Sequence, residues 1–345
     1  MQVEKGNRKM QRILVEEYRG KVLECTHAGH ICGVDDTGSI RYAAGNPLHM
    51  TYLRSAAKPF QAIPVLQHGI EKLYGFTGKE TAVIAGSHRG EPFHIAAIES
   101  MLHKSGICEE SLLCASTYPL NADARDDVLR HDRPKRRVYH NCSGKHSGIL
   151  ALCKGGGYDI VSYCDPGHPV QRQILRTLAS LSEVPEADIP IGTDGCGFPV
   201  FALPLDGLAR AYLKLACSDL IVDAPIRSAV EKLTALMSEH SEMIAGTDFI
   251  CSVLLRDANI VAKGGAKGVY CFGLKNERLA FALKVLDGSE EEWPLIVASI
   301  LEQIDYTNRA TIDDLYRISQ VKISNDANRI VGYSKAVFDL TTDQE

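Results

Sequence analysis

The sequence predicts an α/β fold of the α+β kind, a mainly antiparallel sheet with flanking helices. Three observations carry this. Strand-like segments cluster at both ends of the chain, helical periods fill the middle around 95–245, and strands do not alternate with helices as a parallel sheet requires. No repeat or low-complexity linker divides the 345 residues, so one domain over 1–345 is expected, within the size a single core can reach.

Composition narrows the function classes. Hydrophobic residues at 45% and charged residues at 23% are ordinary for a globular enzyme. A net charge of -5 with no basic block argues against a nucleic-acid surface. No apolar run approaches about 18 residues, so no membrane span is expected. Met1 to Gln11 is polar and lacks an apolar h-region, so no secretory signal is expected. The 11 cysteines lie mostly in apolar surroundings, which suits reduced, buried thiols in a cytoplasmic protein.

The elements follow in order. Arg12 to Glu17 and Val22 to Asp35 alternate as strands, Asp36-Thr37-Gly38 turns, and Ser39 to Ala43 returns. A helix then runs from near Ser55 to His68-Gly69, with Pro59 tolerated in its first turn. Thr81 to Ala85 is a short apolar run that ends by displaying Ser87. His94 to Ser105 has helical period, with Ile95, Ile98, Met101 and Leu102 on one face. Cys108 to Leu120 reads as loop, and Asn121 to Arg137 as a charged, solvated stretch. Helices are expected after His140 up to Gly155-Gly156-Gly157, over Pro169 to Leu181, over Asp206 to Cys217 and over Ala224 to Met237. Ile189 to Gly192, Phe249 to Arg256, Ile260 to Phe272 (interrupted by Lys263-Gly264-Gly265) and Leu279 to Leu286 read as strands, and Glu290 to Ile304 as a helix. The tail from Leu315 is weakly patterned.

Three constellations bear chemistry. Ser55 and Lys58 stand in S-x-x-K order, which places both on one helical face. A neutral lysine there can take the serine proton. Ser87 and Lys263 form a second candidate pair, although from sequence alone a β-bulge with an exposed lysine is the simpler account of Lys263-Gly264-Gly265. Two lysines near one serine repel, which favours one neutral amine. Third, Cys142, Lys145 and His146 stand with Asp194 and Cys196 in glycine-rich, polar segments. Thiolates suit zinc, but the spacing is no standard finger, and two buried thiols or a disulfide remain open. His27, His30, His88 and His146 are candidate ligands or bases. There is no G-x-G-x-x-G or Walker motif to support nucleotide binding.

Taken together, Gly45-Asn46-Pro47, Arg54-Ser55-Ala56-Ala57-Lys58-Pro59, Gly86-Ser87-His88, Asn141-Cys142-Ser143-Gly144-Lys145-His146 and Thr193-Asp194-Gly195-Cys196 resemble the bacterial asparaginase II family of the Ser-Lys, zinc-containing kind. The resemblance covers roughly Val15 to Asp287. It implies a fold like serine β-lactamases and penicillin-binding proteins, a homodimer, and hydrolysis of L-asparagine to L-aspartate and ammonia. It further implies Ser55 as nucleophile with Lys58 as its base, Ser87 with Lys263 as a second tandem, and Cys142, Lys145 and Cys196 as zinc ligands. Arg54, His146 and Asp194 are then expected at the substrate. Where many members carry an acidic residue after Lys263-Gly264-Gly265-Ala266, this chain has Lys267. The alternatives are a serine acyl-hydrolase acting on β-lactams or peptide amides (neither Ser-Asp-Asn nor Lys-Thr-Gly is present), a hydrolase using zinc-bound hydroxide, and a non-catalytic binding protein on the same scaffold.

Overall fold

A computed structural model describes residues 11–342, so the polar stretch Met1–Met10 lies outside the described residues. Strands β1 (Arg12–Arg19), β2 (Val22–Val34), β3 (Ile40–Ala44) and β4 (Met50–Tyr52) open the chain. A 3-10 turn over Arg54–Ala57 leads into α1 (Lys58–Gln67), followed by α2 (Ile70–Leu73), α3 (Gly78–Ile84), α4 (Pro92–Ser105), α5 (Ala122–Arg130), α6 (Ser143–Gly155) and α7 (Pro169–Ser182). Short strands β5 (Ile191–Thr193) and β6 (Pro199–Pro204) precede α8 (Leu205–Ala216), α9 (Ala224–Glu239), α10 (Glu242–Ala245) and α11 (Ile250–Leu255). The chain then returns to strands β7 (Ile260–Gly264), β8 (Val269–Leu274) and β9 (Leu279–Val285). Helices α12 (Trp293–Gln303) and α13 (Arg309–Ile318) and strands β10 (Lys322–Ser324), β11 (Ile330–Ala336) and β12 (Thr341–Thr342) complete it.

The main sheet runs β10-β11-β1-β2-β9-β8-β7, with β3 also on β2 and β12 on β3, and every pairing is antiparallel. N- and C-terminal strands therefore meet at β2 and β9, as the two clusters of strand-like segments predict. All residues of β7 and β8 are buried, which requires cover on both faces. Tyr212 of α8 lies behind Gly273 on one face, and Trp293 of α12 packs on Tyr270 on the other. A small sheet β4-β6-β5 stands apart and carries the chain into the Ser55 turn.

Three expectations need correction. Phe249 to Arg256 is helix α11, not a strand; its residues 250–255 are all buried, so no face of the pattern reveals the period. Ile260 to Phe272 is a hairpin of two strands, turned at Lys267 and Gly268, whose φ angles are 59° and 78°. The weakly patterned tail supplies α13 and edge strands β10 and β11, whose mixed exposure blurs the alternation.

Candidate active site

The Ser55 turn begins with a strained residue. Arg54 takes φ 51°, a left-handed conformation that costs a non-glycine residue of order 1–3 kcal/mol. It is held there by Asp194, whose Oδ1 accepts from Arg54 Nε at 2.9 Å and lies 2.7 Å from the second guanidinium nitrogen. From below, the Tyr212 hydroxyl donates to the Ala56 carbonyl at 2.8 Å.

Lys58 begins α1 and is 1% exposed. Its amine donates to Gly86 O at 2.7 Å, to Ser87 Oγ at 2.9 Å and to Asn141 O at 2.9 Å, an acceptor for each of three N–H groups. Lys263 on β7 is equally buried, and its amine donates to Ser87 Oγ at 2.9 Å and to Gly264 O at 2.7 Å. One serine hydroxyl is thus shared by two buried lysines. The exposed-lysine reading of Lys263-Gly264-Gly265 does not hold. The glycine at 265 admits the Leu53 carbonyl instead, which would lie 2.6 Å from a Cβ there. Burial is the largest cause that lowers both lysines, and Lys263 falls to about 8.

Ser87 follows α3 and is fixed by its N–H to Ile244 O at 2.7 Å. Helix α6 reaches this point because residue 144 is glycine: a Cβ there would stand 2.5 Å from Val83 O. Close approach brings Asn141 to Lys58 and sets Cys142 and Lys145 beside the lysine pair.

Cys142, Lys145 and Cys196 converge. The Lys145 amine donates to Cys196 Sγ at 3.3 Å and lies 3.9 Å from the Phe198 ring centroid. A hydrogen bond from Cys196, with help from Lys58 and Lys145 against burial, holds Cys142 well below the usual thiol range; that bond and burial push Cys196 up. Burial opposes the Lys145 charge, but Cys196 and Cys142 outweigh it and the amine stays above its ordinary value. The cysteines are free, so no disulfide forms. Two sulfurs and one amine, all buried beside an accessible pocket, are a donor set that fits zinc.

The pocket has a volume of about 230 Å³ and is lined by Arg54, Ser55, Asp194, Gly195, the two cysteines, His140, Asn141 and Ala266. A larger cleft of about 580 Å³ beside α4 and α5 holds none of the expected site residues. Ser55, half-buried, faces the pocket, yet among the described residues its hydroxyl has no hydrogen bond; Lys58 is turned to Ser87 instead. His146 is a correction. It is fully buried between Tyr163 and Phe198, with Nδ1 2.5 Å from the Tyr163 hydroxyl, and it does not line the pocket. One helical step beyond Lys145, it points into the core, where burial and Lys145 push it well below its ordinary value. His88, also buried, pairs with Ser143 at 2.8 Å, and His30 Nδ1 accepts from Asn46 N–H at 3.0 Å. Lys267 is exposed on its hairpin turn. His140 and Asn141 also line the pocket, which the sequence does not lead one to expect although Asn141 opens the Asn-Cys-Ser-Gly-Lys-His motif; His140 Nδ1 accepts from Cys142 N–H at 3.1 Å.

Over most of its length the chain carries the pattern of an amidohydrolase of the L-asparaginase type. It belongs to the L-asparaginase II family, whose model matches residues 15–336. No curated protein matches the chain. Among solved structures it is similar to a β-lactamase from Mycobacterium bovis, at 13% identity, 80% of this chain, 94% of that chain and a TM-score of 0.39. A Bacillus glutaminase is similar at 12% identity, 81% and 92% coverage and a TM-score of 0.39. Likeness at that level adds no argument to the fold described above.

Proposed function

We propose that this chain is an L-asparaginase, converting L-asparagine to L-aspartate and ammonia in the pocket faced by Ser55. The observation that carries the reading is the pair of buried lysine amines, each 2.9 Å from Ser87 Oγ, directly behind that pocket. Two ammonium groups around one oxygen repel, so one amine gives up its proton. Lys263, with two acceptors against three for Lys58, is the one that loses its proton first, at about 8, and its neutral form is the working one. The Ser87 hydroxyl passes a proton from Lys58 to Lys263, which leaves Lys58 able to take the proton of Ser55, three residues back on the same turn. Ser55 Oγ then attacks the side-chain carboxamide. Backbone N–H groups at the start of the turn, which no intrahelical carbonyl satisfies, receive the oxyanion. The relay returns the proton to the leaving ammonia, and water cleaves the aspartyl ester.

Arg54 and Asp194 face the pocket as a charge pair matched to an amino acid's carboxylate and ammonium. Cys142, Lys145 and Cys196 would hold zinc, with Lys145 deprotonated. Bound zinc would supply positive charge at the pocket wall. We assign the protein to the cytoplasm, where its thiols stay reduced, and to a homodimer, which light scattering on the purified chain tests.

A second reading has its own observation: Ser87, not Ser55, is the hydroxyl in contact with both amines. One experiment separates them. Ammonia release is measured for Ser55→Ala and Ser87→Ala, and the wild type is labelled with an electrophilic ketone analogue of asparagine and mapped by mass spectrometry. Label on Ser55, with loss of at least about a thousandfold in kcat for Ser55→Ala, is expected. Label on Ser87 transfers the nucleophile there, and normal ammonia release from both variants removes serine catalysis altogether. Turnover of a β-lactam but not of asparagine would instead establish the acyl-hydrolase alternative.

A further inference from the structure

The polar insertion Cys25-Thr26-His27 in β2 takes no part in the pocket described above. Cys25 pairs directly with Glu17 across β1 and β2, and His27 stands two residues on, so the three side chains share one face of the sheet. One ligand atom from each lies within 4.8 Å of the other two. Glu292, at the start of α12, stands beside His27.

His27 is the centre of this group. Its Nδ1 is 2.7 Å from Asp287 Oδ2, a hydrogen bond that fixes the ring and turns Nε2 to the other side. There Nε2 is 3.4 Å from Glu17 Oε1, 3.7 Å from Glu292 Oε1 and 3.7 Å from Cys25 Sγ. A single N–H cannot serve three acceptors, and the two oxygen separations exceed the usual range of about 2.7–3.2 Å for an N–H···O bond, while the sulfur lies at the length of a weak hydrogen bond. With zinc bonds of about 2.0–2.1 Å to nitrogen and oxygen and about 2.3 Å to sulfur, the edges of a tetrahedron are roughly 3.3–3.6 Å, close to the Glu17 and Cys25 separations from Nε2. The Glu292 side chain, 6% exposed, borders the same space beside His27 and shares a hydrogen bond with Glu17. Cys25 is exposed, which gives the ion a path from solvent.

We propose that Glu17, Cys25 and His27 form a second metal site, for a divalent transition ion of the zinc type, with Asp287 orienting the histidine and the fourth position open to water. Sulfur, nitrogen and carboxylate donors suit zinc over magnesium or calcium, which take all-oxygen ligands. By linking β1 to β2, the ion would brace the sheet rather than act on substrate.

The test uses the purified full-length chain and zinc alone. In a Cys142→Ser/Cys196→Ser background, which removes the other thiol pair, competition against a chromophoric chelator should still find one zinc per chain. Adding Cys25→Ser and His27→Gln should weaken that binding at least a hundredfold, and Asp287→Asn, an exposed substitution, should weaken it about 10- to 100-fold. Zinc should raise the Tm of the background protein and leave that of the His27→Gln protein unchanged. Absence of zinc binding in the folded background overturns the proposal, as does binding indifferent to Cys25→Ser and His27→Gln. Should the background variant not fold, the wild type decides: its zinc content should fall by one equivalent with His27→Gln, and an unchanged content rejects the site.

Discussion

Three lysines are buried around the candidate site, and they do not share a chemistry. Lys58 and Lys263 are surrounded by carbonyl oxygens and one hydroxyl, while Lys145 sits against two sulfurs and an aromatic face. Burial penalises all three. Oxygens of neutral groups do not repair that penalty, so the first two are lowered; the thiols, one of them held as thiolate, repair it, and Lys145 is raised. Residue type and burial alone do not say what a lysine does. The charge state of its neighbours does.

The comparison can be broken most sharply at Lys263. Lys263→Met removes the amine at nearly constant volume, and kcat should fall by about 10²- to 10⁴-fold, read by ammonia release. The wild-type rate should also rise with pH and level off above about 8, because the lowered amine loses its proton there and only the neutral form accepts one from Ser87. Lys58 reinforces this lowering, while Cys251, Cys142 and Glu290 oppose it. A profile flat from pH 6 to 9 rejects the assignment. At the sulfur-lined lysine, Lys145→Met should instead weaken zinc at least about a hundredfold, followed by metal analysis after dialysis against a chelator. Gly144→Ala acts on both centres at once. Its Cβ meets Val83 O, so α6 must shift, and urea unfolding should show a loss of about 1–3 kcal/mol. Smallest is Arg54→Lys, which keeps charge but loses the guanidinium fork on Asp194; KM for asparagine should rise about tenfold with kcat changed less.

How much of this was legible beforehand varies by residue. The short motifs mark Ser55, Lys58, Ser87, Lys263 and the Cys-Lys-Cys set, since each lies in a segment whose glycines and polar residues interrupt an apolar pattern. The two terminal clusters of strands were legible for the opposite reason: alternation over β1, β2 and β9 is local. What the sequence could not disclose is which serine each lysine reaches. Lys58 and Ser87 are 29 residues apart and meet only because α3 and α6 pack against α1. His146 misled because adjacency in a helix is not adjacency in space: one residue turns the side chain by about 100°. The tail misled because edge strands in water do not need an apolar face.

Arg54 carries a consequence beyond its ion pair. Its left-handed φ is maintained by a carboxylate 140 residues away, in the loop between β5 and β6. The serine turn therefore holds its shape only while that loop is docked. On the proposed reading, a segment that would bind the substrate's charged end also pins the backbone beside Ser55, and so would behave as a latch: with Asp194 displaced, Arg54 is free to relax, and Ser55 would lose its aim before the fold loses any of its strands.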